Sequence, residues 1–477
     1  MRYVRDMRGY GVNPVNPSWP GNANVAVQFV VNYEEGGENC ILHGDAASEA
    51  FLSEIVGAAP WPGLRHWNME SIYEYGARAG FWRLYRMFDA AGIPVTVYGV
   101  ASALARSPDQ VAAMQAAGWE IASHGLKWID YREYEQVDEE RDMKEAIRVH
   151  TEVTGARPTG WYTGRTSANT VRIVAQEGGF AYISDVYDDD LPYWLDHDGH
   201  GNAIKPQLMI PYTLDANDMR FATAQGFNTG DHFYSYLKDT FDTLYAEGEK
   251  GRPSMMSIGL HCRLTGRPGR AAGLQRFIDY VKGQDKVWFP RRIDIADHWR
   301  EAHPYKAPTL RPSRMNRREF VDKFGDIFEH SAWIAEGAFD LELGLAHDSA
   351  GGLHNALCRA FRSASKQNRL DALIAQTDFV SMLAQVKSQT AEPTFELTGT
   401  GLDTLDDAKW KKIVALNDTY VRKFGHPFIV AAQDNDKASI LKALETRIAN
   451  SDDKEFDISC KQLERIAWYR LHKLLPS

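Results

Sequence analysis

Over the first 300 residues of the chain, short apolar runs alternate with stretches of helical periodicity. Val25–Tyr33, Pro94–Val100, Trp119–Ser123, Gly160–Tyr162, Ala181–Ser184, Leu208–Tyr212 and Ser254–Leu260 read as strands, and Val287–Phe289 as a short strand or rim segment. A helix is expected to open at Ser71 as its N-cap, carrying Ile72, Tyr75, Phe81, Leu84 and Phe88 at helical spacing. Glu139–Val153, charged on one face, and Asp231–Ala246 read as two more. Strands separated by helices imply a parallel sheet. Closed on itself, such a sheet is an α/β fold, here a distorted (β/α)7 barrel, with its functional residues at the C-terminal strand ends.

The segment His303–Arg314, HPYKAPTLRPSR, holds three prolines without apolar periodicity and reads as a linker. Beyond it the strand signals fade. Asn316–Phe328, Leu353–Ser363, Leu370–Ala384, Asp406–Lys423, Ala438–Asn450 and Ile458–Leu475 read as helices, the last with Leu463, Ile466, Ala467, Leu471 and Leu474 at helical spacing. The expected organisation is a barrel over residues 1–302, a linker over 303–314 and a smaller all-α domain over 315–477.

Composition narrows the class without naming a ligand. The 477 residues exceed what one ordinary core organises. They are 44% hydrophobic and 25% charged, with 13 Trp and 21 Tyr, and the formal net charge is −10, which argues against a nucleic-acid or anionic-membrane partner. The opening MRYVRDMRGYG has no apolar run after its charges, so no secretory signal is expected. No stretch reaches the roughly 18–20 apolar residues of a membrane span. Cys40, Cys262, Cys358 and Cys460 are scattered, with no CxxC pair, so a disulfide framework is not expected and the cytoplasm is the expected compartment.

Titratable residues sit just past several expected strands. The first ends in Asn32-Tyr33-Glu34-Glu35, the third in Ser123-His124-Gly125, and the fourth runs into Tyr162-Thr163-Gly164-Arg165. The fifth runs into Asp185 and the acidic Asp188–Asp190, and the last well-formed one ends in Leu260-His261-Cys262-Arg263. Taken singly, each has an ordinary structural reading: a hydrogen-bonded histidine, surface glutamates, a solvated acidic loop. Together they fall at one end of successive strands. Carboxylates, histidines and an arginine supply what amide hydrolysis needs: a base for water, a donor to the oxyanion and an acid for the leaving nitrogen.

This order resembles the polysaccharide deacetylase family, which carries an acidic pair (T-F-D-D), then H-x-x-x-H, an R-x-P-type turn and a late L-x-H. The matching positions are Asn32-Tyr33-Glu34-Glu35, His124 through Trp128, the Trp161–Arg165 region and Leu260-His261. Trp128 replaces the second histidine of the family's metal motif and the longer Glu35 its metal-binding aspartate, so no metal and no other cofactor is expected. These departures, with NYEEGGENCILHGDAASEAFLSE, GWEIASHGLKWIDY and DDLPYW, resemble the metal-independent allantoinase branch over about residues 1–305. The resemblance implies hydrolysis of (S)-allantoin to allantoate by a homo-oligomer acting on a small molecule. It implies Glu34 as the group activating water, His261 as the acid, and His124 and Arg165 as groups that polarise or orient the ring carbonyl. Glu35, Trp128 and Asp185 complete the expected substrate contacts.

Residues 315–477 resemble the decarboxylase of 2-oxo-4-hydroxy-4-carboxy-5-ureidoimidazoline. The resemblance runs through Phe320-Val321, Phe324-Gly325, Phe328-Glu329-His330-Ser331, Gly401-Leu402-Asp403, Leu416-Asn417 and Lys423 through Ile429. Where that family places a catalytic histidine, in H-P-D-L, this chain has Gln376, and its S-x-x-E-Q becomes Pro393-Thr394-Phe395-Glu396-Leu397. Gln376, Glu396 and Arg447 are the expected remnant of a site without its proton carrier. Two rival readings remain open: a bifunctional enzyme, and a metal-dependent sugar-polymer deacetylase using Glu35, His124 and His261. A third is a non-catalytic binding scaffold.

Overall fold

A computed structural model of the protein describes residues 5–7, 9–11, 14–198, 202–307, 310–378, 380–381, 407–435 and 437–475. The chain folds as two compact units, one formed by Gly9–Lys306 and the other built mainly from residues 307–477.

The first unit is built on one sheet. Its strands are β1 Val25–Tyr33, β2 Val95–Gly99, β3 Glu120–Ser123, β4 Gly160–Trp161, β5 Tyr182–Ile183, β6 Tyr193–His197, β7 Ala203–Met209, β8 Ser254–His261 and β9 Val287–Trp288. The order is β6-β7-β5-β4-β3-β2-β1-β8, with β9 on β1. Every pairing is parallel except β6 with β7. β1 is buried at all nine positions, the near-continuous apolar run of a strand covered on both faces. The sheet curls into a half-barrel whose ladder ends at β6 and β8.

Three local expectations are corrected. The first long helix, Trp67–Tyr75, is capped by the His66 ring, which accepts from the Met69 N–H, while Ser71 lies inside it and donates to the Asn68 carbonyl. That helix runs into a π-helical turn at Gly76–Gly80. A Cβ on Gly76 would collide with the Glu35 carboxylate, and one on Gly80 would collide with the Cys262 carbonyl oxygen. Only glycine lets the helix pack so close to two strand ends. The strand expected at Leu208–Tyr212 instead spans Ala203–Met209, because it pairs with β6 as a hairpin arm. β6 is half-buried throughout and bulged between Leu195 and His197, so it carries no clean alternation.

The second unit is helical: Arg317–Phe324, Ala332–Phe339, Ala350–Ser363, Lys366–Ile374, Asp407–Phe424, Lys437–Arg447 and Asp452–Leu474. Phe320, Phe324, Leu353, Leu357, Phe361, Leu463 and Leu471 fill its larger core. Ile413, Tyr420, Phe428, Ile440 and Leu444 fill a smaller one. The helix expected over Leu370–Ala384 begins four residues earlier, at Lys366, and stops at Ile374.

Candidate active site

Strand register brings the titratable residues to one level. Asn32 pairs with His261 across β1 and β8, Tyr33 with Gly99 across β1 and β2, and Gly99 with Ser123 across β2 and β3. The next residue along β1 is Glu34, the next along β3 is His124, and β8 ends on His261 itself.

Their side chains meet. Glu34 Oε1 lies 3.3 Å from His124 Nε2 and 3.4 Å from His261 Nε2. Arg263 Nη2 donates to Glu34 Oε2 at 2.6 Å. Behind His261, Asp218 Oδ1 is 2.6 Å from Nδ1, and Asp218 Oδ2 accepts the backbone N–H groups of His261 and Thr265 at 2.8 and 3.0 Å. All five side chains are buried.

The electrostatics follow from this packing. Burial pushes the Glu34 pKa up, but Arg263, His261 and hydrogen bonds from both imidazoles outweigh it and hold the carboxyl well below its ordinary range. Burial pulls His261 down, yet the carboxylates of Glu34 and Asp218 push it up to about 9. At neutral pH, then, Glu34 is ionised and His261 is protonated.

A cavity of about 480 Å³ opens onto this group, lined by Glu34, His124 and His261 with Asn32, Tyr162 and Tyr212. Phe51, Leu52, Trp128 and Arg165 form another part of its wall. Phe51 stacks on Trp128 with ring centroids 5.8 Å apart, and the Arg165 guanidinium sits 4.1 Å from the Trp128 centroid and 4.6 Å from that of Phe51. Arg165 Nη2 is buried without a hydrogen-bond partner, a donor available to a ligand oxygen. Asn32 Nδ2 donates to the Tyr212 hydroxyl at 2.8 Å and to the Leu260 carbonyl at 3.2 Å.

Of the residues expected from sequence, the structure thus gathers Glu34, His124, His261, Trp128 and Arg165 around one cavity. Two others stand behind it. Glu35 Oε1 accepts the Arg263 backbone N–H at 3.2 Å, and Glu35 is buried against Gly76. Burial raises its pKa, with Glu34 adding to the rise and Arg263 opposing it. Asp185 accepts from the Thr163 and Gly164 backbone N–H groups, at 2.9 and 2.7 Å, so it fastens the turn that carries Arg165 and does not itself line the cavity. Burial lifts its pKa to about 7. Sequence reasoning misses Asp218, and it places Arg263 at a strand end without giving it a role. Asp218 lies 43 residues before His261, in a short 3-10 helix with no motif to mark it. A signal for Arg263 does exist: a lone arginine two residues past a strand-end histidine.

In the second unit the expected remnant is engaged in the fold. Gln376 Nε2 donates to the carbonyls of Ala372 at 3.0 Å and Glu329 at 3.3 Å. Arg447 donates from Nε to Glu455 Oε1 at 2.8 Å, from Nη1 to the Ile429 carbonyl at 2.8 Å and from Nη2 to Ser459 Oγ at 3.1 Å. Glu396 lies outside the described residues.

Among the described residues, no group of three or more His, Cys, Asp or Glu is arranged to hold a metal ion. No described helix is long and apolar enough to cross a membrane.

Residues 69–183 match the polysaccharide deacetylase family, and residues 313–472 match the OHCU decarboxylase family. A Schizosaccharomyces pombe protein that carries the polysaccharide deacetylase name is 42% identical over 324 residues, 64% of this chain and 100% of its own. The 2-oxo-4-hydroxy-4-carboxy-5-ureidoimidazoline decarboxylase of Halalkalicoccus jeotgali is 35% identical over 162 residues, 34% of this chain and 88% of its own. Among solved structures, PuuE allantoinase superposes with a TM-score of 0.62 at 59% identity, covering 64% of this chain and 100% of that one. The chain therefore belongs to the polysaccharide deacetylase family through its N-terminal part and to the OHCU decarboxylase family through its C-terminal part, the two fused in one polypeptide.

Proposed function

We propose that this chain is an allantoinase, hydrolysing the hydantoin ring amide of (S)-allantoin to allantoate in urate breakdown. The observation that carries the reading is the buried Glu34–His261–Asp218 array on a cavity of about 480 Å³, in a chain 59% identical to PuuE allantoinase over 64% of its length. Hydrolysis needs one group ionised and another protonated at the same pH, and Glu34 and His261 are poised in that way. In the proposed mechanism Glu34 takes a proton from water as its oxygen attacks the ring carbonyl carbon. His261, oriented from behind by Asp218, gives a proton to the departing ring nitrogen as the C–N bond breaks. His124 and the unpartnered Nη2 of Arg165 are the proposed donors that orient or polarise substrate oxygens, with Trp128 as an apolar wall.

The deacetylase fold implies a metal ion, and the residues present do not fit one. Trp128 offers no lone pair where the family motif has its second histidine. Glu35 is turned to the Arg263 backbone, away from the cavity. The Arg263 guanidinium, 2.6 Å from Glu34, repels a divalent cation from the same carboxylate. No step is routed through a metal. The test is allantoate formation from allantoin by protein stripped with a strong chelator and checked for metal content. Activity that is lost and then restored only by zinc or manganese would favour the sugar-deacetylase reading.

For residues 315–477 we propose a degenerate decarboxylase-like domain, joined through a linker at 303–314 to the barrel of residues 1–302. The supporting observation is that Gln376 cannot relay a proton and is tied to two backbone carbonyls. We place the protein in the cytoplasm as a homo-oligomer acting on a free small molecule, without nucleic acid or membrane. The buried free thiols of all four cysteines fit a reducing compartment. The exposed Leu42, Val56, Trp61, Leu64 and Trp67 fit an association surface.

A further inference from the structure

Arg263 is fully buried, with no solvent exposure, and touches both halves of the pocket. Its Nη2 donates to Glu34 Oε2 at 2.6 Å, and its Nε donates to the Leu52 carbonyl oxygen at 2.9 Å. The guanidinium lies over the Tyr73 ring at 4.3 Å from the centroid and over Trp128 at 5.1 Å, so it has no freedom to swing toward one partner alone. Leu52 holds φ at +51°, a left-handed backbone that a leucine does not choose unaided. Leu52 and its neighbour Phe51 line the cavity that Glu34 also lines. A strained residue persists where its surroundings over-determine it, and the Arg263 bond to its carbonyl is one such constraint.

We infer that Arg263 is a positioning residue that ties the Phe51–Leu52 wall of the pocket to the carboxylate of Glu34, so that wall and carboxylate are set together. The inference rests on the ring-opening reading of this cavity. Leu52 and Glu34 are bound through separate nitrogens of one rigid fork, so the wall cannot shift with its bond intact unless the fork and the Glu34 carboxylate shift with it. A lysine keeps the charge but has no planar fork with which to hold both oxygens at these positions.

The test is a double-mutant cycle on the full-length protein with allantoin: wild type, Leu52→Gly, Arg263→Lys and the double variant, each with kcat, KM and melting temperature. Glycine adopts the +51° backbone without strain, and removing the leucine side chain frees the wall to shift relative to Arg263 without burying a new polar group, so the Leu52 variant folds even if the Arg263 variant does not. Both single variants are expected to raise KM, through a loosened wall, and to lower kcat about tenfold, through a misdirected Glu34. The double variant is expected to lose no more kcat than the worse single one. Hydrogen exchange at residues 51–53 is expected to quicken in Arg263→Lys. Additive kcat losses would overturn the inference, as would a Leu52→Gly variant that changes KM alone. If Arg263→Lys does not fold, the Leu52→Gly kcat decides by itself. Wild-type protein inactive on allantoin would instead overturn the ring-opening reading.

Discussion

The two units treat their buried polar groups differently. In the barrel, Glu34, His124 and His261 hold one another from the sides and, through Arg263 and Asp218, from behind, yet all three still line an open cavity. In the helical unit, Arg447 uses three nitrogens on Glu455, Ser459 and the Ile429 carbonyl, and Gln376 uses its amide on two carbonyls. Both arrangements pair most of their buried polar atoms, though in the barrel His124 Nδ1 and Arg263 Nη1 have no hydrogen-bond partner. The first leaves charged groups of opposite protonation state facing space that a substrate can enter. A family motif alone does not separate the two cases; the destination of each hydrogen bond does.

The largest effect should come from the cavity groups themselves. Glu34→Gln and His261→Asn keep approximate size while removing proton exchange. Each is expected to lower the ring-opening rate by about 10²–10⁴-fold, and Glu34→Gln, which leaves Arg263 buried without its carboxylate, is expected to lower the melting temperature as well. Turnover near that of wild type in either variant would remove that residue from the mechanism and erase the contrast between the units.

Asp218→Asn should have a smaller and pH-dependent effect. His261 stands at about 9, raised from its ordinary 6.5. Its protonated form is therefore lost on the alkaline side, and kcat/KM should fall as pH climbs through that value. Removing the Asp218 charge should slide the alkaline limb toward lower pH, and the rate at high pH should drop about tenfold for each pH unit the limb moves. The raised histidine also carries a sign for stability. A histidine raised on folding stabilises fully below its ordinary 6.5, and that contribution fades as pH rises through about 9. Glu34, lowered on folding, contributes above its ordinary 4.5, and that contribution fades as pH falls. Melting temperature followed against pH, for Asp218→Asn beside wild type, checks both signs. An alkaline limb unmoved by the substitution would show that His261 is not the titrating acid.

How much of this is legible in the sequence depends on where each residue's partners lie. β1 is legible to the residue, because a strand buried on both faces is a continuous apolar run. β6 is not, because a half-buried, bulged hairpin arm leaves no period to see. Glu34, His124 and His261 are legible as strand-end residues, since parallel register alone brings strand ends to one level. Asp218 is hidden because its meaning is a contact made 43 residues away, from a short 3-10 helix. Glu35 and Asp185 show the converse. Both do stand at strand ends, but each side chain turns to backbone N–H groups instead of the cavity.

Chelation tests the barrel side of the contrast from another direction. With Arg263 as the fixed cation beside Glu34, stripping metal should leave the ring-opening rate unchanged within error. A metal-dependent rate would mean that the ion pair opens to admit a divalent cation.

The smallest effect on chemistry is expected in the helical unit. The full-length Glu34→Gln variant, which no longer consumes allantoin, should leave the spontaneous decarboxylation of the ureidoimidazoline at its uncatalysed rate, followed by the circular dichroism of the chiral intermediate as it decays. Gln376→His alone should not restore catalysis, because the side chain there is held by the Ala372 and Glu329 carbonyls and Arg447 remains bound to Glu455. Arg447→Gln separates the two roles an arginine can have. If it is engaged in the fold, its loss leaves Glu455 buried without its cation and costs about 3–5 kcal/mol, read as a lower melting temperature of this unit, while ring opening is untouched. If Arg447 is held ready for a carboxylated ligand, the substitution costs little stability and abolishes ligand binding. An enzyme-dependent rate of (S)-allantoin formation by this Glu34→Gln variant would show that another residue carries the proton, and the two units would then differ in which chemistry they perform and not in whether they perform any.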